Sequence, residues 1–362
     1  MQLTQSKSNL CRMVAAVSMA ACLALTATSA HAQKRVKWKM QSTWGSSLPH
    51  LGESANRFVD DVERMSGGKF QIKFFEPGAL VPALECFDAA SKGSVESCYT
   101  TPGYHTGKLG LGVAFFTAVP FGPQIGEFLA WKWYGGGNDI REEAYNAHGM
   151  TAFDVLCHAP ETSGWFRKEY QSVDDIRGMK MRFFGLGARV MEKLGVSTQL
   201  LAAADIYPAL EKGVIDATEF SMPDMDIRLG FHQIAKFNYF PGWHQQISCS
   251  EFLVNKEKFD ALPEEYKAMI EIASKKQVIE TYAGSEYSNP SSMNKMTTDH
   301  GVTIKRWSDE DLAKFEQAWN EVLEEAKQED ELFAKAAASY QAFRDVYRGW
   351  GNAQSLKGTY LE

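Results

Sequence analysis

Asp174–Glu219 reads DDIRGMKMRFFGLGARVMEKLGVSTQLLAAADIYPALEKGVIDATE, and this stretch decides the fold class. Met179, Met181 and Phe183 alternate with Lys180, Arg182 and Phe184, which is the period of a strand. Gly185 and Gly187 break that strand. Ala188–Leu194 then gives a helix with Arg189 and Lys193 on one face. A second strand and helix follow, so the unit is βαβα and the class is α/β. It leaves one arginine, Arg182, at the carboxyl end of its first strand, where open α/β sheets receive ligands. A guanidinium there offers a planar set of donors to a carboxylate. The alternative for Arg182 is a place on a solvated strand face.

Outward from this unit the same pattern recurs. Val36–Gln41, Phe70–Phe75 and Val95–Thr100 read as strands separated by helices at 51–65 and 82–91, an order that implies right-handed crossovers and a parallel sheet. A helical region at 124–148 is interrupted by Gly135-Gly136-Gly137. Strands follow at Thr151–His158, Phe237–Tyr239, Ile247–Val254 and Val302–Trp307. A long helix is expected over Pro263–Asn289, and two more over 309–328 and 330–348, the first opened by the Ser308 cap and its acids. About 330 residues exceed what one core usually carries, so two lobes are expected. The expected division is 33–158 with 248–290, 159–247 with 291–308, and helices over 309–362.

Residues 1–32 read as a secretory signal peptide: Lys7 and Arg12, an apolar run Met13–Leu25, and Ala30-His31-Ala32 before the cut. The run is too short to span a membrane. Cys22 sits inside it rather than at the head of a polar chain, which argues against lipid anchoring. Cleavage moves the formal net charge from −7 to −9, because it removes two basic residues and no acid. An acidic chain without basic runs is a poor partner for nucleic acid. Cys86, Cys98, Cys157 and Cys249 remain. None forms a CxxC pair, and their three possible disulfide pairings, or free buried thiols, stay open.

No nucleophile elbow, P-loop, dinucleotide fingerprint or HExxH is present, so a binding module is favoured over an enzyme. Tyr99-Thr100-Thr101 ends the third strand and offers hydroxyls. Trp44, His50 and Tyr104 sit on turns that can face a cleft, and His105, His158 and His244 are further candidates for its neighbourhood.

The runs GMKMRF, G-x6-EKLG and PALEKGVIDA, with Gly164–Glu169 (GWFRKE) and Tyr239–Trp243 (YFPGW), resemble the substrate-binding proteins of TRAP transporters, the DctP family. The likeness extends from Trp38 to about Phe343 and is greatest for the members that bind 2-oxo acids or lactate. It implies a two-lobed periplasmic binding-protein fold, with the ligand in an interlobe cleft and C-terminal helices. Arg182 would bind the substrate carboxylate. Glu219 would coordinate a cation, sodium or calcium, with the backbone oxygen of Phe220. Glu161 stands where relatives often carry a glutamine, and Gln245 where some carry an acid. Both would reach substrate or cation. Independently of the resemblance, Thr100 and Thr101, by their place at the end of the third strand, are candidates for substrate contacts from the first lobe. No organic cofactor is implied. The partners would be a small carboxylate and the membrane permease, the protein itself being a monomer or a homodimer. A receptor feeding a sensor kinase is a second reading. A periplasmic lyase or hydrolase using Glu161 or His158 as base is a third.

Overall fold

The computed structural model describes residues 34–354, so the signal-peptide reading lies outside the described residues. From Lys37 onward the chain forms one compact unit. It is built on two mixed sheets.

The first sheet has five strands. These are β1 (Val36–Ser42), β2 (Phe70–Phe75), β3 (Ser97–Thr100), β4 (Met150–His158) and β10 (Ser248–Asn255), in the order β2-β1-β3-β10-β4. β1 and β3 are parallel, as the crossover pattern requires, but β10 runs antiparallel to both β3 and β4. The parallel expectation drawn from the first three strands holds for β1 and β3, and the sheet as a whole is mixed. β4 leaves for the second sheet and β10 returns from it, so the two crossing strands must point in opposite directions. Helix α1 (Leu51–Met65) buries Leu51, Ala55, Phe58 and Val62, with Phe58 against Phe252 of β10 at 4.7 Å. Apolar residues at this helical spacing place one stripe against the sheet. Helix α2 (Cys86–Ser91) packs beside β3.

The four cysteines pair as Cys86–Cys98 and Cys157–Cys249. The second disulfide joins directly opposed residues of β4 and β10, where the chain crosses between the sheets.

The glycine triplet splits the expected helix at 124–148 into α3 (Ile125–Tyr134) and α4 (Gly137–Asn146), with Gly136 at φ 88° between them. Only glycine takes that conformation without strain.

The second sheet has the order β11-β9-β5-β8-β6-β7. Its strands are β5 (Gly164–Phe166), β6 (Lys180–Arg182), β7 (Ser197–Gln199), β8 (Ala217–Thr218), β9 (Phe237–Phe240) and β11 (Thr303–Arg306). Its helices are α5 (Gly185–Lys193), α6 (Ala203–Glu211) and α7 (Pro223–Leu229). β6, β7 and β8 are parallel, and β5 runs against β8 and β9. The opening βαβα unit is thus present, but its first strand ends at Arg182 and its first helix starts at Gly185, three residues before the expected Ala188.

Helix α8 (Glu264–Thr298) packs on β4, α1 and α7 and reaches β11, so it runs alongside both sheets. It extends past the expected end at Asn289. Pro290 removes one backbone donor, yet buried Ser292 and Met296 keep the last turns packed. Helix α9 (Asp309–Glu329) buries Phe315 and Trp319 on the same chain. Helix α10 (Glu331–Gln354) buries Phe333 and Tyr340, with Phe333 against Phe115 at 4.8 Å. Its last turns leave Val346 and Trp350 exposed. No helix among the described residues is long and apolar enough to cross a membrane.

Candidate functional site

The carboxyl ends of β6 and β8 meet the turn after β4 and the loop after β9 at a small cavity of about 30 Å³. It is lined by Arg182, Glu161, Gln245, His158, Phe184 and Phe220, with Trp44, Thr101 and Tyr104 from the first-sheet side. The two sides touch. The Tyr104 ring stands edge-on to Phe184 at 5.2 Å. His50 Nε2 lies 3.0 Å from Asp224 Oδ2 at the start of α7 and 3.0 Å from Ser288 of α8.

Arg182 is buried at 1 % exposure. Its Nη1 donates to the Glu219 backbone oxygen at 2.7 Å and to Glu219 Oε2 at 2.9 Å, and its Nε donates to the Leu201 carbonyl at 3.3 Å. Phe184 and Phe220 lie 5.9 and 5.4 Å from the guanidinium carbon. Two of the three nitrogens are therefore held by the protein, and Nη2 is the one left for a ligand. Glu219 Oε2 also accepts from the Phe184 amide at 3.0 Å. Glu219 is thus fixed by its neighbours through one oxygen only.

Gln245 places Glu161: its Nε2 donates to Glu161 Oε1 and to Ser248 Oγ, both at 2.9 Å, and the Glu161 amide donates to the Gln245 carbonyl at 3.1 Å. The loop carrying Gln245 comes this close because residue 242 is glycine. A Cβ there would stand 2.1 Å from the Glu161 carbonyl oxygen.

Several buried acceptor atoms then have no hydrogen-bond partner: Glu161 Oε2, Glu219 Oε1 and Gln245 Oε1. Unpaired buried polar atoms are rare and costly. Burial, and then the Glu219 and Asp226 charges, push the Glu161 carboxyl well above the ordinary range. Burial also raises Glu219, with Arg182 opposing the shift without cancelling it. A cation among these oxygens would satisfy the orphaned atoms and stabilise both ionised carboxylates. The donor set fits such an ion.

Of the residues expected at the site, Arg182, Glu161, Glu219, Phe220, Gln245 and Thr101 come together. Thr100 does not line the cavity. Its hydroxyl turns to His105 Nε2 at 3.5 Å, inside the first-sheet core. His105 lies in that core too, against Phe87 at 5.0 Å. His50 serves the contact across the cleft rather than the cavity wall. Two residues were given no ligand role by sequence: His244, expected only near the cleft and found with its Nε2 3.5 Å from Glu161 Oε2, and Asp226. Adjacency to Gln245 was the available signal for His244. Asp226 reads in sequence as an ordinary first-turn acid of α7.

Asp226 is fully buried, with Oδ2 accepting from Trp165 Nε1 at 2.7 Å and Oδ1 unpartnered. Burial, aided by the Glu219 charge and opposed by the Trp165 bond, lifts its pKa to about 8. The native state then keeps a proton that the unfolded chain releases near pH 4. Stability is therefore lost as pH rises from about 4 to 8. Asp226→Asn keeps the Trp165 bond and removes this loss. Melting temperatures from pH 4.5 to 8.5 in chelator should fall less steeply for the variant, and it should be the more stable protein at pH 8. Parallel curves would refute the assignment.

Comparisons with known proteins identify the family and several solved relatives of the same fold. The family profile described as bacterial extracellular solute-binding protein, family 7 (DctP), matches residues 40–330. A monocarboxylate 2-oxoacid-binding periplasmic protein of Nostoc sp. (strain PCC 7120) is 32% identical over 322 residues, covering 89% of this chain and 87% of that one. The TRAP periplasmic solute-binding protein of Pseudoalteromonas atlantica T6c, solved with sodium and pyruvate, superposes with TM-score 0.84 at 30% identity. The match covers 89% of this chain and 97% of that chain. The TRAP solute-binding protein of Bordetella bronchiseptica RB50, a dimer with calcium and picolinate in one site, gives TM-score 0.86 at 31% identity, covering 89% and 95%. With its two mixed sheets, its cleft and this match, the chain belongs to the DctP family of bacterial extracellular solute-binding proteins.

Proposed function

We propose that this protein captures a small 2-oxo or 2-hydroxy acid in the periplasm together with a cation and delivers it to a TRAP permease. The observation that carries the reading is the set of orphaned oxygens, Glu161 Oε2, Glu219 Oε1 and Gln245 Oε1, beside Arg182 in a cavity walled by aromatic rings. The Nη2 of Arg182 would take the ligand carboxylate. Glu161, Glu219, Gln245 and the Phe220 backbone oxygen would hold the ion. The ion bridges protein and ligand, so each strengthens the other's binding. The cavity is small, which favours a short acid over a long one. Relatives that bind pyruvate with sodium, or picolinate with calcium, support the same class of ligand.

The two sheets would be the cores of two lobes, 33–158 with 248–290 and 159–247 with 291–308. Ligand would shift an open–closed equilibrium toward the closed form. The His50–Asp224 contact and the Tyr104–Phe184 contact would belong to that closed form. The permease would then read a surface made by both lobes, and no bond of the ligand would change.

Titrating pyruvate into chelator-treated protein tests this reading. Affinity in sodium or calcium should exceed that in potassium with chelator by at least about tenfold, the scale of typical coupling between two sites. Glu219→Gln should lose most of that gain, because the amide keeps an oxygen and gives up the charge. Equal wild-type affinity in all three solutions would remove the cation from the function.

A further inference from the structure

His244 stands beside the cavity-lining Glu161 and is a residue that a hard oxygen cage does not need. It is 1 % exposed, and neither ring nitrogen has a hydrogen-bond partner. Its Nε2 lies 3.5 Å from Glu161 Oε2 and 4.0 Å from Glu219 Oε1. These are the same two carboxylate oxygens that lack partners. One ligand atom from each of the three residues lies within 4.8 Å of the others. Two zinc–ligand bonds of about 2.1 Å span at most about 4.2 Å, so the 3.5 and 4.0 Å separations of His244 Nε2 from the two carboxylate oxygens fall within reach of one ion.

The ring is aimed by packing. Phe183 meets it edge-on at 4.9 Å and Trp243 at 5.4 Å. Residue 187 must be glycine for the ring's backbone to lie where it does, since a Cβ there would come within 2.8 Å of the His244 Cβ.

We propose that His244 is a nitrogen ligand of the cation site, which therefore takes zinc or a similar late first-row divalent ion in preference to calcium or sodium. The proposal rests on the cation-assisted reading above. Sodium, calcium and magnesium are hard ions that take oxygen, whereas imidazole suits zinc, cobalt, nickel and copper. Charge points the same way. Glu161, Glu219 and a bound carboxylate would bring three negative charges against the single guanidinium of Arg182. A divalent ion balances the remainder and a monovalent ion does not. The competing account is that a protonated His244 simply neutralises the two carboxylates and binds no metal.

Metal titrations of the chelator-stripped full chain separate these accounts. Calorimetry with zinc chloride and with calcium chloride should give an affinity for zinc at least about 100-fold higher. His244→Ala should lower zinc affinity by about 100-fold, at least as much as loss of an outer-shell partner does. Calcium affinity should stay within about threefold. Cobalt added to the wild-type protein should give a visible absorption band that Glu161→Gln and His244→Ala each diminish. This readout on the wild type needs no variant to fold. Calcium binding as tightly as zinc, or an unchanged zinc-to-calcium ratio in His244→Ala, would overturn the proposal. Pyruvate titrated in parallel keeps the two readings apart. Binding with calcium or sodium but no advantage with zinc defeats this inference alone. No pyruvate binding with any ion defeats the proposed function itself.

Discussion

Arg182→Ala is expected to lower pyruvate affinity by at least about 30-fold while the protein still folds. The expectation follows from what the guanidinium does. Nη1 and Nε hold the Glu219 side chain, the Glu219 backbone and the Leu201 carbonyl, and so fix the arginine against the end of β6 and β8. Nη2 then points its donors at the cavity with no rotamer freedom left to lose. Leaving a ligand carboxylate buried without its charge partner costs about 2–5 kcal/mol, which is the 30-fold or more. The variant also leaves Glu219 at 0 % exposure without its counter-charge, so some stability should go as well. Arg182→Lys should fall short of rescue, because one ammonium cannot serve Glu219, Leu201 and a ligand at once. Calorimetry, with circular dichroism to verify folding, decides the matter. Unchanged affinity in a folded Arg182→Ala protein would remove Arg182 from the site.

The sequence carried much of this site because its parts are local or come in long blocks. Arg182 follows from a strand that ends at Gly185, and the strand from alternation of Met179, Met181 and Phe183. Gln245, Glu219 and Glu161 were legible only through resemblance, since nothing in their spacing along the chain says that they meet. Thr100 was proposed from its place at the end of the third strand. Its strand position was right, but the strand end turns at Thr101, and only the second threonine reaches the cavity. The antiparallel return of β10 was missed because period and propensity carry no direction. The disulfide pairing was open for the same reason: Cys157 and Cys249 are 92 residues apart and become opposite only when β4 and β10 pair. The long helix was bounded at Asn289, and tertiary packing carries it through Pro290 to Thr298.

Nothing in the sequence signalled the buried charge network of the first sheet, and there the largest loss of stability is expected. Asp154 on β4 accepts from Lys132 Nζ and Arg141 Nη1, both at 2.6 Å, and from Trp133 Nε1 at 2.9 Å. Lys132 is 1 % exposed and also donates to the Phe116 carbonyl at 2.8 Å. Arg141 is 2 % exposed and reaches the Ala152 carbonyl at 2.9 Å. Glu251, bonded to the Tyr145 hydroxyl at 2.7 Å, and Glu142, 3.7 Å from Arg141 Nη2, are further carboxylates near, and burial lifts the Glu251 pKa to about 7. Burial alone would also raise Asp154. The Arg141 and Lys132 charges outweigh it and hold that carboxyl well below the usual range. Asp154 is thus the ionised partner that both buried cations share. Asp154→Asn keeps size and shape and removes the charge, leaving Lys132 without its ion-pair partner and Arg141 with only the more distant Glu142 and Glu251, at 3.7 and 4.0 Å. Breaking a buried pair in this way costs about 3–5 kcal/mol. Lys132→Met should cost less, because Asp154 keeps Arg141 and the methionine fills the same apolar space. Asp154 lines no part of the cavity around Arg182, so ligand affinity in the folded variant should stay near wild type. Urea unfolding of the three proteins at pH 7 gives the ranking. A loss for Asp154→Asn no larger than that for Lys132→Met would mean that the network is not held together by the charge of Asp154.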